Sequence, residues 1–71
     1  MARNDDPVAF ENWYVVFVKD KSVLVKPDGE GDEKAVWLPI SQVDVQSGDL
    51  EKGKVIDFEI PEWLAQDRGI D

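Results

Sequence analysis

Residues 55–64 read Val-Ile-Asp-Phe-Glu-Ile-Pro-Glu-Trp-Leu, and this stretch decides the fold. In its first half, apolar residues alternate with Asp57 and Glu59, which predicts a strand with one apolar face and one acidic face. Pro61 then ends the strand, because it has no N–H for the ladder and its fixed φ suits the first turn of a helix. We predict a strand over residues 55–60 and a short helix over residues 61–68.

The end of this helix is marked by Arg68 and Gly69. A cation in the last turn is favourable to the helix dipole, and glycine readily takes the left-handed conformation that follows a helix. Ile70 is then expected to fold back on Leu64 or Ala65. Since two helical turns are unstable alone in water, the helix must pack against the rest of the chain.

Four upstream segments have the composition of strands, namely residues 13–18, 23–25, 34–40 and 43–46. Short polar gaps predict antiparallel hairpins between the first three, and Pro39 places the third strand at an edge or at its end. We therefore predict a mainly β protein: a small five-stranded antiparallel bent sheet, or an SH3-like or oligonucleotide-binding-type barrel, with a short C-terminal helix. Residues 1–7 are expected to form a flexible arm before a single domain over residues 8–71. The alternation predicts a core of Val15, Phe17, Val23, Val25, Val36, Leu38, Ile56, Phe58, Ile60 and Leu64.

The composition argues against several classes of function. The 71 residues include 16 acids and 8 bases, for a formal charge of −8, which disfavours nucleic acid and anionic membrane surfaces as partners. Histidine and cysteine are absent, so zinc, haem and thiolate sites lack their usual ligands. No catalytic constellation, signal region or membrane span is present. We predict a cytoplasmic protein that is not an enzyme and has no cofactor.

An acidic loop at residues 27–33 invites a metal interpretation. Asp28, Glu30 and Asp32 have the alternate spacing of a calcium loop. That loop, however, requires flanking helices and a closing glutamate, whereas the flanks here have strand composition and position 39 is proline. We predict a solvent-exposed hairpin tip and no metal site.

The candidate contact residues are aromatic and acidic. Trp37 lies on the strand face opposite Val36 and Leu38, so it is either an exposed recognition anchor or is covered by the C-terminal helix. Trp13 and Tyr14 are consecutive in a strand, which predicts that one is in the core and the other is partly exposed. The acids alternating on the last strand predict a solvated acidic stripe. The predicted partner-binding residues are Trp37, Trp13, Tyr14, Asp57 and Glu59.

Two motifs carry a resemblance to a protein family. Residues 36–43, Val-Trp-Leu-Pro-Ile-Ser-Gln-Val, and residues 60–65, Ile-Pro-Glu-Trp-Leu-Ala, are followed by Gly69-Ile70. In these features the chain resembles a group of small uncharacterised proteins of bacteriophages and prophages, although Ile40 stands where many members have lysine. The resemblance covers about the C-terminal half and implies a phage origin, loosely associated with DNA metabolism. It implies no catalytic residues.

These observations favour a small acidic phage-type accessory protein that binds another protein, with Trp37 and neighbouring acids at the contact. The alternatives are a single-stranded nucleic-acid-binding barrel that uses Trp13, Tyr14 and Lys19, or an acidic mimic of nucleic acid that blocks a DNA-binding protein. A further alternative is a homodimer paired through a strand edge.

Overall fold

The computed structural model describes residues 6–70. Of the arm predicted over residues 1–7, residues 1–5 lie outside the described part, and Pro7 is the first residue of a strand. Single turns of 3-10 helix occupy Asp32–Lys34 and Ile40–Gln42. The main elements are β1 (Pro7–Val18), β2 (Ser22–Pro27), β3 (Val36–Pro39), β4 (Asp44–Ser47), β5 (Val55–Pro61) and α1 (Glu62–Arg68).

The five strands form one antiparallel sheet in the order β3-β2-β1-β5-β4. The central strand β1 pairs with β5 along its first part and with β2 along its second part. Across residues 6–70 no pairing joins β3 to β4, so the sheet is open and is not closed into a barrel. The predicted mainly β fold with a C-terminal helix is confirmed, in its open-sheet form. Pro39 ends β3 at the sheet edge, as predicted.

Two register shifts in β1 alter the side-chain pattern expected from simple alternation. The pairing with β5 shifts between Phe10 and Trp13, and the pairing with β2 shifts between Val15 and Phe17. A bulge adds a residue to one strand, so the side chains beyond it change faces. β1 also begins at Pro7, six positions before its predicted start. Its pairing with β5 continues on both sides of the first bulge, which contains the polar pair Glu11-Asn12.

The core differs from the predicted one at four positions, one of which is the additional buried residue Ala65 on α1. Phe17 is 42% exposed, because the second shift in β1 turns it to the outer face. Trp13 is only 7% exposed and packs edge-on against Phe10 and Phe58, with ring centroids 5.3 and 5.6 Å away. Val36 is half-buried at the margin of the core. The buried residues are Trp13, Val15, Val23, Val25, Leu38, Ile56, Phe58, Ile60, Leu64 and Ala65.

The helix α1 covers the core with Leu64 and Ala65. It ends as predicted, with Gly69 in the left-handed conformation at φ 71°. The Ile70 N–H donates to Ala65 O (3.0 Å) and the Gly69 N–H donates to Gln66 O (3.1 Å). This pair of bonds is the Schellman motif, which satisfies carbonyls at the helix end and returns Ile70 to the core.

Candidate binding surface

The outer face of the sheet carries a row of three apolar side chains across β1, β2 and β3. Phe17 pairs in register with Leu24, and Leu24 pairs with Trp37. Leu24 alternates with the buried Val23 and Val25, so the row points away from the core. Phe17 is 42% and Trp37 39% exposed. We call these three residues, together with the half-buried Tyr14 on the same side of β1, the aromatic face.

Each ring of the aromatic face is accompanied by a lysine. Lys19 Nζ lies 5.0 Å from the centroid of the Trp37 ring. Lys52 Nζ lies 5.6 Å from the Phe17 ring and Lys26 Nζ 5.6 Å from the Tyr14 ring. Such contacts contribute about 0.5–1 kcal/mol at exposed sites. A chain with a net charge of −8 thus places three of its eight cations beside the rings of the aromatic face.

Two of these lysines keep their charge available. Lys26 Nζ forms an ion pair with Asp32 Oδ1 at 3.2 Å. Among residues 6–70, no carboxylate lies within 4.0 Å of the ammonium of Lys19 or Lys52. Within the described part of the chain, Lys19 and Lys52 therefore contact aromatic rings and no carboxylate.

Open clefts adjoin the aromatic face at both ends of the strands. A cleft of about 600 Å³ at the β1–β2 turn is lined by residues 17–22, including Asp20. A second cleft of about 550 Å³ lies at the opposite end, where Tyr14, Val16 and Lys52 meet the acidic hairpin tip. The two ends differ in charge: Lys19 and Lys21 flank Asp20 at the first cleft, whereas Asp28, Glu30 and Asp32 gather at the second.

Farther along β5 and β4, the outer face carries acidic side chains. Glu59 on β5 stands directly opposite Asp44 on β4, and both line a smaller cleft of about 200 Å³. Like charges at directly opposed positions are unfavourable in a sheet. In the part of the chain that the structure describes, no three acidic side chains converge closely enough to hold a metal ion.

Asp57 has a role that the alternation did not predict. Its Oδ1 accepts a hydrogen bond of 2.9 Å from the backbone N–H of Asn12. Asn12 has a φ of 60°, in the left-handed region that non-glycine residues rarely adopt. The carboxylate thus satisfies the donor exposed by the first bulge of β1, and Asp57 stabilises the fold instead of standing free in an acidic stripe.

The predicted aromatic residues divide into buried and accessible ones. Trp13, predicted as a partner contact, is only 7% exposed, and its ring packs edge-on in the core against the stacked rings of Phe10 and Phe58. This burial argues against a contact with a partner. Tyr14, the next residue in the strand, is half-buried on the outer side, which agrees with the prediction that one of the two would be partly exposed. Of the two alternatives for Trp37, the structure has the exposed one: its side chain is 39% exposed, and Arg68 of α1 donates its Nε–H to the Trp37 carbonyl oxygen at 2.6 Å.

That Arg68 bond also covers the free edge of β3. The Ile40 N–H donates to Lys21 O (2.9 Å), and bonded positions alternate along an antiparallel pair, so Trp37 directs its backbone groups away from β2. Arg68 occupies the Trp37 carbonyl, and Pro39, the next residue facing this edge, has no N–H to donate. At the other edge, Gln46 Nε2 donates to Asp44 O at 3.4 Å, and β4 is short and bulged. Shielding of this kind opposes pairing with a further strand.

Sequence reasoning missed Phe17, Leu24 and Lys52 as members of the surface. Lys52 comes from the loop before β5, so only the folded chain brings it to β1. The apolar run of residues 13–18 contained one signal for Phe17, since a strand buried on a single face cannot hide consecutive apolar residues.

Comparisons of this chain with protein-family models, with curated proteins and with solved structures find no match. Its resemblance to phage proteins therefore stays a prediction. Among the described residues, no helix is both long enough and apolar enough to cross a membrane.

Proposed function

We propose that this protein is a non-enzymatic accessory module that binds another protein through its aromatic face. The observation that carries the proposal is the alignment of Phe17, Leu24 and Trp37 across three strands, on the side of the sheet that the core leaves open. Large aromatic side chains presented together are the usual anchors of protein interfaces. The rigid sheet holds them in place, so little conformational entropy is lost on binding.

The origin and location belong to the same proposal. The resemblance of residues 36–43 and 60–65 to small phage proteins supports a phage-encoded protein that acts in the cytoplasm of a host cell. Small accessory proteins of this kind act by contact with a larger partner, which agrees with a surface built for contact. A nucleic-acid-processing protein of the host or phage is the partner class that the resemblance favours.

Single-stranded nucleic acid is a second candidate ligand, favoured by the three lysine–ring pairs. Bases stack on exposed aromatic rings, and lysines contact phosphates. Because Trp13 is buried, this alternative would use Tyr14, Phe17 and Trp37 together with Lys19. The acids Asp28, Glu30 and Asp32 at one end of the strip, together with the net charge of −8, oppose a continuous phosphate backbone, so a protein partner is favoured. The alternative of an acidic mimic of nucleic acid is weaker, since the Asp57 carboxylate already accepts a hydrogen bond from the Asn12 N–H.

Affinity capture with matched variants tests the proposal. Immobilised wild type is compared with Phe17→Ser, Trp37→Ala and Trp63→Ala in lysate of a bacterial host. Trp63 is the matched control, because it is 42% exposed like Phe17 but lies on α1, outside the aromatic face. We expect a protein retained by wild type and by Trp63→Ala and lost from both aromatic-face variants. Equal retention by all four proteins, or by none, would contradict the proposal.

A further inference from the structure

We infer that the partner presents an acidic segment: a short peptide whose carboxylates pair with Lys19 and Lys52 while its apolar side chains cover Trp37 and Phe17. The inference rests on the proposed function and names the chemistry that the aromatic face recognises. It depends on how ring and ammonium groups are interleaved on one side of the sheet.

The first step concerns the state of the two lysines. Each ammonium lies over a ring at 5.0–5.6 Å, without a carboxylate neighbour among the described residues. The hydrogen bond between a carboxylate and an ammonium group is charge-assisted, and it is shorter than the contact between an ammonium group and an aromatic ring. An acidic group from a partner therefore gains a contact that the free protein does not provide.

The second step concerns the rings. Phe17 and Trp37 flank Leu24 in register, so the three side chains form one continuous apolar strip. When the ammonium groups turn toward a partner's carboxylates, the ring faces they partly covered become accessible. A segment with apolar side chains next to acidic ones occupies both surfaces at once, whereas a purely apolar or a basic segment leaves the lysines without a partner.

The third step concerns length. Asp20 lies at one end of the strip, and Asp28, Glu30 and Asp32 lie at the other. Lys19 and Lys21 flank Asp20, so a short peptide with one or two carboxylates is accommodated at that end, but an extended polyanion that continues past Tyr14 meets the three acids of the hairpin tip. The net charge of −8 opposes an acidic partner at long range, yet at physiological salt such repulsion is screened beyond about 8 Å.

A selection from random peptides displayed on yeast tests the inference on the full chain. We expect enriched sequences to combine Asp or Glu with neighbouring aromatic or aliphatic residues. A synthetic copy of the best peptide is then measured by fluorescence anisotropy. Lys19→Glu and Lys52→Glu should each weaken its binding about tenfold, since each replaces attraction with repulsion.

Lys34→Glu is the matched control, because it changes the net charge equally and Lys34 lines neither cleft beside the aromatic face. It should leave the affinity within about twofold of wild type. Enrichment of basic or uncharged peptides, failure to enrich any peptide, or equal effects of all three reversals would overturn the inference.

The two proposals fail in distinguishable ways. If the enriched peptides are not acidic but their binding is lost in Phe17→Ser, the acidic assignment is wrong and the proposed function stands. If peptide binding is unchanged in both Phe17→Ser and Trp37→Ala, the aromatic face is not the contact surface and both fail. A labelled oligothymidine that binds where no peptide does would assign the face to nucleic acid instead.

Discussion

The carboxylate of Asp57 accepts a hydrogen bond from the backbone N–H of Asn12, 45 residues earlier in the chain. The bond joins β5 to the first bulge of β1, where Asn12 adopts a positive φ. This bulge changes the face to which the following residues point, so it directs Trp13 into the core and Tyr14 outward. The outward position of Tyr14 in the aromatic face thus follows a backbone irregularity at which the Asp57 side chain forms a hydrogen bond.

Asp57→Ala should therefore destabilise the protein by about 1–2 kcal/mol, because the Asn12 N–H loses its charged acceptor. Urea unfolding measures the change. Glu59→Ala is the control on the same strand face; since Glu59 stands opposite Asp44, its removal should be neutral or slightly stabilising. Equal losses for the two variants would show that the bond to Asn12 contributes nothing specific.

Phe58 and Phe17 form a second matched pair, because alternation placed both in the core and the structure buries only one. Phe58→Ala should cost about 3–5 kcal/mol, much of the stability of so small a domain. Phe17→Ala should cost about 0.5 kcal/mol, as is usual at a largely exposed position. Chemical denaturation of both variants checks the prediction. A Phe58→Ala midpoint equal to that of wild type would show that the β5 register is wrong.

The shielded edge of β3 predicts that the protein does not associate through this strand. Arg68→Ala frees the Trp37 carbonyl, and Pro39→Val supplies the missing N–H donor. The double variant should show concentration-dependent self-association by analytical ultracentrifugation, whereas wild type should show none through this edge. Concentration-dependent dimerisation of wild type that the double variant does not strengthen would contradict this prediction and favour the homodimer alternative.

Single-stranded oligonucleotides should not bind below roughly 100 μM at low salt, an affinity typical of non-specific contacts. One or two stacked bases contribute about 1–3 kcal/mol each, which scarcely offsets the repulsion from a chain of charge −8. Fluorescence anisotropy with a labelled oligonucleotide measures this. Low-micromolar binding that weakens with salt and is lost in Trp37→Ala, but kept in Trp63→Ala, would favour the nucleic-acid alternative.

Local patterns in the sequence were sufficient for most of the fold. Alternation over residues 55–60 predicts β5, and the order Pro61 to Gly69 predicts where α1 begins and ends. These features depend on neighbouring residues alone, through backbone restrictions, side-chain period and helix-end hydrogen bonds. The same reasoning placed Leu38, Ile56, Phe58 and Leu64 in the core.

The binding surface, in contrast, was decided by the tertiary structure. Alternation assumes an unbroken strand, and the second shift in β1 turns Phe17 outward although it stands two positions after the buried Val15. At the first shift, Asp57 accepts the bond from Asn12, which it approaches only after β5 has paired with β1. Long-range strand pairing likewise brings Lys52, from the loop before β5, to the ring of Phe17. The sequence by itself determined which segments become strands and helix, but long-range pairing determined which aromatic rings face a partner.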